Sequence, residues 1–265
     1  MPAARARRAG SACEAATILK PVATPEAIRA PPRPRRVGHK GAAHLAPGNT
    51  PASFDAALAQ GVDMIEFDVL SERTDGSGAL LVAHDYEDMA SRTPLTLEQA
   101  LDHLAGEAFA GIEFDLDVKI PGYELRVVEA LRRAGLTDRT LLSGMFPDSL
   151  ARVRAAEPRL RLGWSVPRVR RDYTSHMLTA IPALAILTGY RALLPRRARE
   201  ALSTGTVDAI MAHWRLVTPA LVSAVRGEGG ELYVWTVDEA PRIAKLTEMG
   251  VSGIITNDPR LFDLA

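Results

Sequence analysis

The chain has 265 residues, of which 47% are hydrophobic and 24% charged, a composition typical of one soluble globular domain. Its 32 basic and 32 acidic side chains cancel, but residues 1–36 carry eight of the basic ones against two carboxylates. A basic tail therefore precedes an acidic body, and no basic patch in that body favours nucleic acid. The single cysteine, Cys13, excludes an intramolecular disulfide. An arginine-rich start without an apolar core argues against a cleaved signal peptide, so we expect a cytoplasmic protein.

We predict two parts, a mobile basic tail over residues 1–35 and a single domain over residues 36–265. Strand and helix patterns alternate along the second part, which favours an α/β fold, a closed (β/α)8 TIM barrel with parallel strands. Residues 79–84 form a small β insertion after the second strand. The predicted barrel strands are 36–40, 64–69, 112–119, 140–143, 160–166, 209–214, 231–237 and 253–256. The main predicted helices are 50–60, 97–104, 123–134, 148–156, 219–226 and 240–249.

The segment 170–206 is longer than an ordinary connection between a strand and a helix. It contains an apolar run, 177–194, which arginines flank and which is too short and broken to span a bilayer. We favour an elongated barrel helix here. The alternative is an apolar surface that lies at a lipid interface.

Two predicted strands carry acidic residues at alternate positions. Glu66 and Asp68 share one face of the first, and Asp117 and Lys119 share one face of the second, with apolar residues opposite. Asp115 lies on the same face as Asp117. A charged face on a core strand needs a compensating cation, a metal or water. The pattern is therefore typical of a metal site at the carboxyl end of barrel strands.

Six short motifs follow one another in an order that resembles the glycerophosphodiester phosphodiesterase family. Three positions depart from the family pattern: Lys40 replaces Arg, Gly48 replaces Glu and Asp117 replaces Glu. The matching segments are His39-Lys40-Gly41, Pro47-Gly48-Asn49-Thr50, Glu66-Phe67-Asp68, His84-Asp85, Asp117-Val118-Lys119 and Val234-Trp235-Thr236-Val237, followed by a closing Gly253–Pro259 stretch.

The resemblance implies metal-dependent hydrolysis of a glycerophosphodiester to glycerol 3-phosphate and an alcohol. Glu66, Asp68 and Asp117 would ligate one divalent cation, and an all-carboxylate set suits Mg²⁺ or Ca²⁺ better than zinc. His39 and His84 would act as acid and base, in an order that the sequence leaves open.

The resemblance also places three side chains around the substrate. Lys40 and Lys119 would bind the phosphate as point charges, and Trp235 would wall the pocket. Core packing explains Trp235 equally well. The four histidines outside the motifs are interpreted as structural, with His213 the least secure because it lies at a strand end.

Two other functions stay open. One is a lysophospholipase D-type hydrolysis of lysophospholipids, which the apolar run 177–194 supports. The other is a weakly active barrel that binds phosphorylated ligands, which Gly48 and Asp117 support and the two motif histidines oppose. A small-molecule phosphodiester is the expected partner, with no nucleic acid and no protein partner, and contact with a membrane surface is not favoured.

Overall fold

The computed structural model describes residues 33–168 and 177–265, and within the second range it describes side chains from Leu187 onward. The predicted tail lies almost wholly outside these residues. The first part of the apolar run 177–194 is described only as helical backbone.

Eight parallel strands form a closed barrel, as predicted. The order around it follows the chain, and β1 pairs with both β2 and β9, which closes the sheet. The ninth strand, β3, pairs antiparallel with the end of β2 and is the predicted insertion, reduced to two residues. The strands are β1 Arg35–Gly38, β2 Met64–Ser71, β3 Leu80–Leu81, β4 Glu113–Val118, β5 Thr140–Gly144, β6 Arg161–Val166, β7 Ala209–His213, β8 Glu231–Trp235 and β9 Gly253–Thr256.

Helices surround the barrel and begin and end where local signals place them. Thr50 and Ser53 form a reciprocal capping box at the start of α1, and Gly135, with φ 68°, ends α4 in the left-handed region. The bounds of α3 and α8 match the predicted ones. The helices are α1 Pro51–Ala59, α2 Tyr86–Ser91, α3 Leu97–Leu104, α4 Glu124–Ala134, α5 Pro147–Ala156, α6 Met177–Ser203, α7 Pro219–Gly227 and α8 Ala240–Met249.

The helix α6 agrees with the prediction of an elongated barrel helix. Its C-terminal half buries Leu194 and Ala198 in the main hydrophobic core. Of the helices that the structure describes, none combines the length and apolar character that crossing a bilayer requires.

A ring of charges fills the amino-terminal end of the barrel. Arg35, Glu113, Arg161 and Glu231 come from alternate barrel strands, which is how one layer of a TIM barrel is built. Nη2 of Arg161 lies 2.7 Å from Oε2 of Glu113, and Arg35 pairs with both glutamates and donates to the hydroxyl of Tyr233. These contacts fill the barrel floor, so space for a substrate lies at the opposite, carboxyl end of the strands.

Candidate active site

Three carboxylates meet inside the barrel near its carboxyl end. The parallel register sets Asp68 of β2 beside Asp117 of β4, and Glu66 lies two residues before Asp68 on the same face. One oxygen from each lies within 4.8 Å of the others, and all three side chains are buried. The structure therefore brings together the three residues that the sequence indicated as metal ligands.

Burial dominates the electrostatics of this cluster. It raises the pKa of Glu66 well above the usual range, helped by the charge of Asp68, and it raises the pKa of Asp115 to about 8. Burial alone would also raise the pKa of Asp68, but the ammonium groups of Lys119 and Lys40 lower it below its usual range. Four buried carboxyl groups, those of Glu66, Asp68, Asp115 and Asp117, therefore lie near only two ammonium groups of the described residues.

The donor set fits a hard divalent cation. Oδ1 of Asp117 is buried and accepts no hydrogen bond from any described residue, and Oδ1 of Asp68 has only the ammonium of Lys119 beside it. Lys119 also lies 2.6 Å from Oδ2 of Asp117. Buried carboxylate oxygens that are held close together are the hard ligands that Mg²⁺ and Ca²⁺ prefer.

The loop that follows β1 holds the carboxylate cluster, and two of its residues have a left-handed backbone conformation. Lys40 has φ 52° and Asn49 has φ 59°. The backbone N–H of Lys40 donates to Oε2 of Glu66 at 2.8 Å, and Nδ2 of Asn49 donates to Oδ2 of Asp68 at 2.8 Å. Asp68 returns a bond from its N–H to Oδ1 of Asn49 at 3.1 Å. The buried amide of Asn49 therefore fixes the orientation of Asp68.

Lys40 and Gly48, the two departures from the family pattern in this loop, lie next to each other. A Cβ on Gly48 would lie 3.0 Å from Cβ and 3.3 Å from Cδ of Lys40. Nζ of Lys40 lies 3.9 Å from Oδ2 of Asp68. The absence of a side chain at position 48 leaves room for the course that Lys40 takes toward the carboxylates.

His39 lies at the carboxyl end of β1 with one ring nitrogen already engaged. Its Nδ1 lies 2.6 Å from Oδ1 of Asn257, whose amide nitrogen donates to Asp238 at 2.7 Å. Because Asp238 uses the amide nitrogen, the oxygen of Asn257 accepts from Nδ1, and Nε2 is the basic nitrogen. Nε2 lies 3.8 Å from Oε2 of Glu66. Burial lowers the pKa of His39 to about 4, so the ring is neutral near pH 7.

His84 is more exposed and is held by a carboxylate. It follows β3 in a loop, where Nδ1 contacts Oδ2 of Asp85 at 2.8 Å and its N–H donates to Asp88. Asp85 also accepts from the N–H of Asp88 at the start of α2. A cavity of about 380 Å³ opens here, lined on one side by Lys40 and Asn49.

Aromatic rings occupy the opposite wall of the barrel mouth. Trp235 of β8 donates from Nε1 to the carbonyl of Met211 at 2.9 Å and is partly buried. The ring of His213, at the end of β7, stands edge-on to it with centroids 5.2 Å apart. Trp235 therefore packs on the barrel interior and also faces its mouth, and His213 lies beside it.

Four polar residues support the site without having been assigned a role from the sequence: Asn49, Asp85, Asp238 and Asn257. Asn49, Asp85 and Asn257 stand within the quoted motifs, directly beside strand ends or predicted ligands. That position is the one sequence signal that pointed to them.

A TIM barrel whose carboxyl end combines buried carboxylates, two lysines and two separately anchored histidines is of the class that hydrolyses anionic esters. The model of the glycerophosphoryl diester phosphodiesterase family matches residues 39–94 and 82–261. The chain belongs to this family, whose members are phosphoric diester hydrolases.

A curated relative agrees with this assignment, and solved structures share the fold. The chain is 29% identical over 244 residues to a putative glycerophosphodiester phosphodiesterase, YhdW, of Bacillus subtilis, covering 84% of this chain and 94% of the relative. A structure of a putative glycerophosphoryl diester phosphodiesterase from Silicibacter pomeroyi has a TM-score of 0.69 at 21% identity, covering 90% and 97%. An Oleispira antarctica phosphodiesterase in complex with the product sn-glycerol-3-phosphate has a TM-score of 0.65 at 18% identity, covering 87% and 97%.

Proposed function

We propose that this protein hydrolyses soluble glycerophosphodiesters to glycerol 3-phosphate and an alcohol. The observation that carries the proposal is the pair of differently held histidines near one carboxylate cluster: Nε2 of His39 lies 3.8 Å from Oε2 of Glu66, and His84 lines the same cavity as Lys40, whose Nζ lies 3.9 Å from Oδ2 of Asp68. The Bacillus relative bears the name of this activity, and the Oleispira structure holds its phosphomonoester product.

The histidines divide the proton transfers. Neutral His39 takes a proton through Nε2 from the attacking water molecule, whose oxygen forms the new bond to phosphorus. As the bond from phosphorus to the departing alcohol breaks, its electron pair stays on the alcohol oxygen, which His84 protonates. Asp85 accepts a hydrogen bond from Nδ1 of His84 and orients the ring for that transfer.

The phosphate is oriented by cations of this chain. The ammonium groups of Lys40 and Lys119 already lie at the carboxylate cluster and meet the non-bridging oxygens as point charges. Glu66, Asp68 and Asp117 would hold one divalent cation, Mg²⁺ or Ca²⁺, which when bound neutralises charge on the phosphoryl group. Trp235 would contact the glycerol or the head group.

The test compares glycerophosphocholine with the matching lysophosphatidylcholine below its micelle concentration, measuring glycerol 3-phosphate and choline. We expect glycerol 3-phosphate from the soluble diester and faster turnover of that substrate. Faster release of choline from the lysolipid would favour the lysophospholipase D function instead. Tight binding of the diester without product would identify a weakly active binding barrel.

A further inference from the structure

A groove of about 530 Å³ lies on the outside of the barrel between α6 and α8. Its lining comes from these two helices and from the short 3-10 turn Trp214–Leu216 that follows β7. The groove begins beside that turn and the start of α8, which follow the carboxyl ends of β7 and β8, and it runs along the side of the barrel as far as Met249, the last residue of α8. It shares no residue with the proposed catalytic machinery, and its volume is that of a ligand site.

The charge of the groove selects an anion. Four cationic side chains line it, Arg191, Arg215, Arg242 and Lys245, against the single carboxylate of Glu239. Glu239 pairs with Arg242 at 2.9 Å. Within the described ranges, Arg191 and Lys245 have no ion-pair partner, and both are exposed. Like charges that converge on a concave surface are unfavourable until an anion joins them.

The floor of the groove is apolar. Leu187, Val217 and Met249 contribute to it together with the indole of Trp214. The guanidinium groups of Arg242 and Arg215 lie 3.5 Å and 4.9 Å from the centroid of that indole. An apolar floor beneath a cationic rim matches an amphiphile better than a free inorganic anion.

The sequence of α6 has a related charge pattern. From Met177 to Arg199 it contains four arginines and no carboxylate, and its first fourteen residues carry no charge. An apolar start followed by a basic stretch is typical of segments that lie on anionic lipid surfaces.

We propose that the groove between α6 and α8 docks this side of the barrel onto an anionic phospholipid surface, with a lipid phosphate against Arg191 and Lys245. The Trp214 side of the groove receives the apolar part of the lipid. This docking goes beyond the proposed hydrolysis and is measurable without any turnover.

The test is sedimentation of the full chain with vesicles of phosphatidylcholine alone or of an equimolar mixture with phosphatidylglycerol. We expect binding to the mixed vesicles that falls with salt and is weak on phosphatidylcholine alone. Each basic side chain close to an anionic surface contributes about fivefold in affinity, so Arg191→Gln/Lys245→Gln should bind roughly 25-fold more weakly.

The matched control is Arg133→Gln/Arg159→Gln, which removes two exposed arginines at the opposite end of the barrel. It should bind vesicles like the wild type, and both double variants should hydrolyse soluble diesters normally. Absence of wild-type binding, or equal binding by the two double variants, would overturn the proposal. A dimer in solution that only Arg191→Gln/Lys245→Gln dissociates would identify a protein interface instead and would also overturn it.

Discussion

The loop residue Asn49 offers a quantitative test of how the carboxylate cluster is held. Its amide makes two hydrogen bonds with Asp68, one to the carboxylate and one from the backbone N–H, and its backbone is left-handed with φ 59°. Two substitutions separate these contributions. Asn49→Gly removes the amide but tolerates the backbone, whereas Asn49→Ala removes the amide and is strained there.

The expected losses follow from burial. Asn49 and Asp68 are both essentially inaccessible to water, so losing the amide leaves the Asp68 N–H without its partner. An unsatisfied buried donor costs about 1–3 kcal/mol, which we expect for Asn49→Gly. Ala lacks the short polar side chain that lets Asn adopt the left-handed region by local hydrogen bonding, which costs about 1–2 kcal/mol more. Asn49→Ala should therefore lower the free energy of unfolding by about 2–5 kcal/mol.

Urea unfolding measures these losses, and calorimetric titration with Mg²⁺ or Ca²⁺ measures a second effect. Because Asn49 orients a proposed metal ligand, both variants should bind the cation about 10–100-fold more weakly. Wild-type stability and wild-type cation affinity in Asn49→Gly would refute the reasoning, since that variant lacks the clamp without added strain.

Three further predictions concern the two proposed catalytic histidines, the glycine at position 48 and stability at acid pH. His39→Ala and His84→Ala should each lower kcat by roughly 10²–10⁴-fold in a steady-state assay with unchanged circular dichroism; near-normal turnover would remove that residue from the mechanism. Gly48→Glu should change cation affinity or turnover more than Gly48→Ala, because a Cβ at this position would already lie 3.0 Å from Cβ of Lys40, the lysine proposed to bind the phosphate; identical kinetics would mean that the departure is silent. The pKa of Asp88 is lowered by its hydrogen bond from Arg92, so its stabilisation is present above the unfolded pKa of about 3.9 and is lost as pH falls through the lower folded pKa. Asp88→Asn should therefore flatten the acid side of the stability curve below about pH 4, as urea titrations across pH would show.

The barrel was predictable because its signals are local. The bounds of α3 and α8 agree with the sequence, since a capping box at Thr96 begins one and a left-handed glycine, Gly250, ends the other. Helix α2 was missed because six residues give too short a stretch for a helical period. His84 was predicted at the end of a strand, whereas in the structure it lies in the loop between β3 and α2.

The site was predictable only as far as motifs reach. Alternation along β2 and β4 indicated that the acidic residues share a face, and the parallel register sets them side by side. The contacts of His39 with Asn257 join positions 218 residues apart, which no local pattern encodes. The groove between α6 and α8 could not be predicted for the same reason, since its charged residues come from three separate elements.

The central claim is that a cation held by Glu66, Asp68 and Asp117 is required for diester hydrolysis. The most direct measurement is glycerol 3-phosphate release from glycerophosphocholine after exhaustive dialysis against EDTA, with metal content determined on the same sample. The account predicts that chelation abolishes release, that Mg²⁺ or Ca²⁺ restores it, and that Glu66→Gln remains inactive with either ion because a neutral amide binds the cation weakly. Full turnover by the metal-free wild-type protein would contradict it.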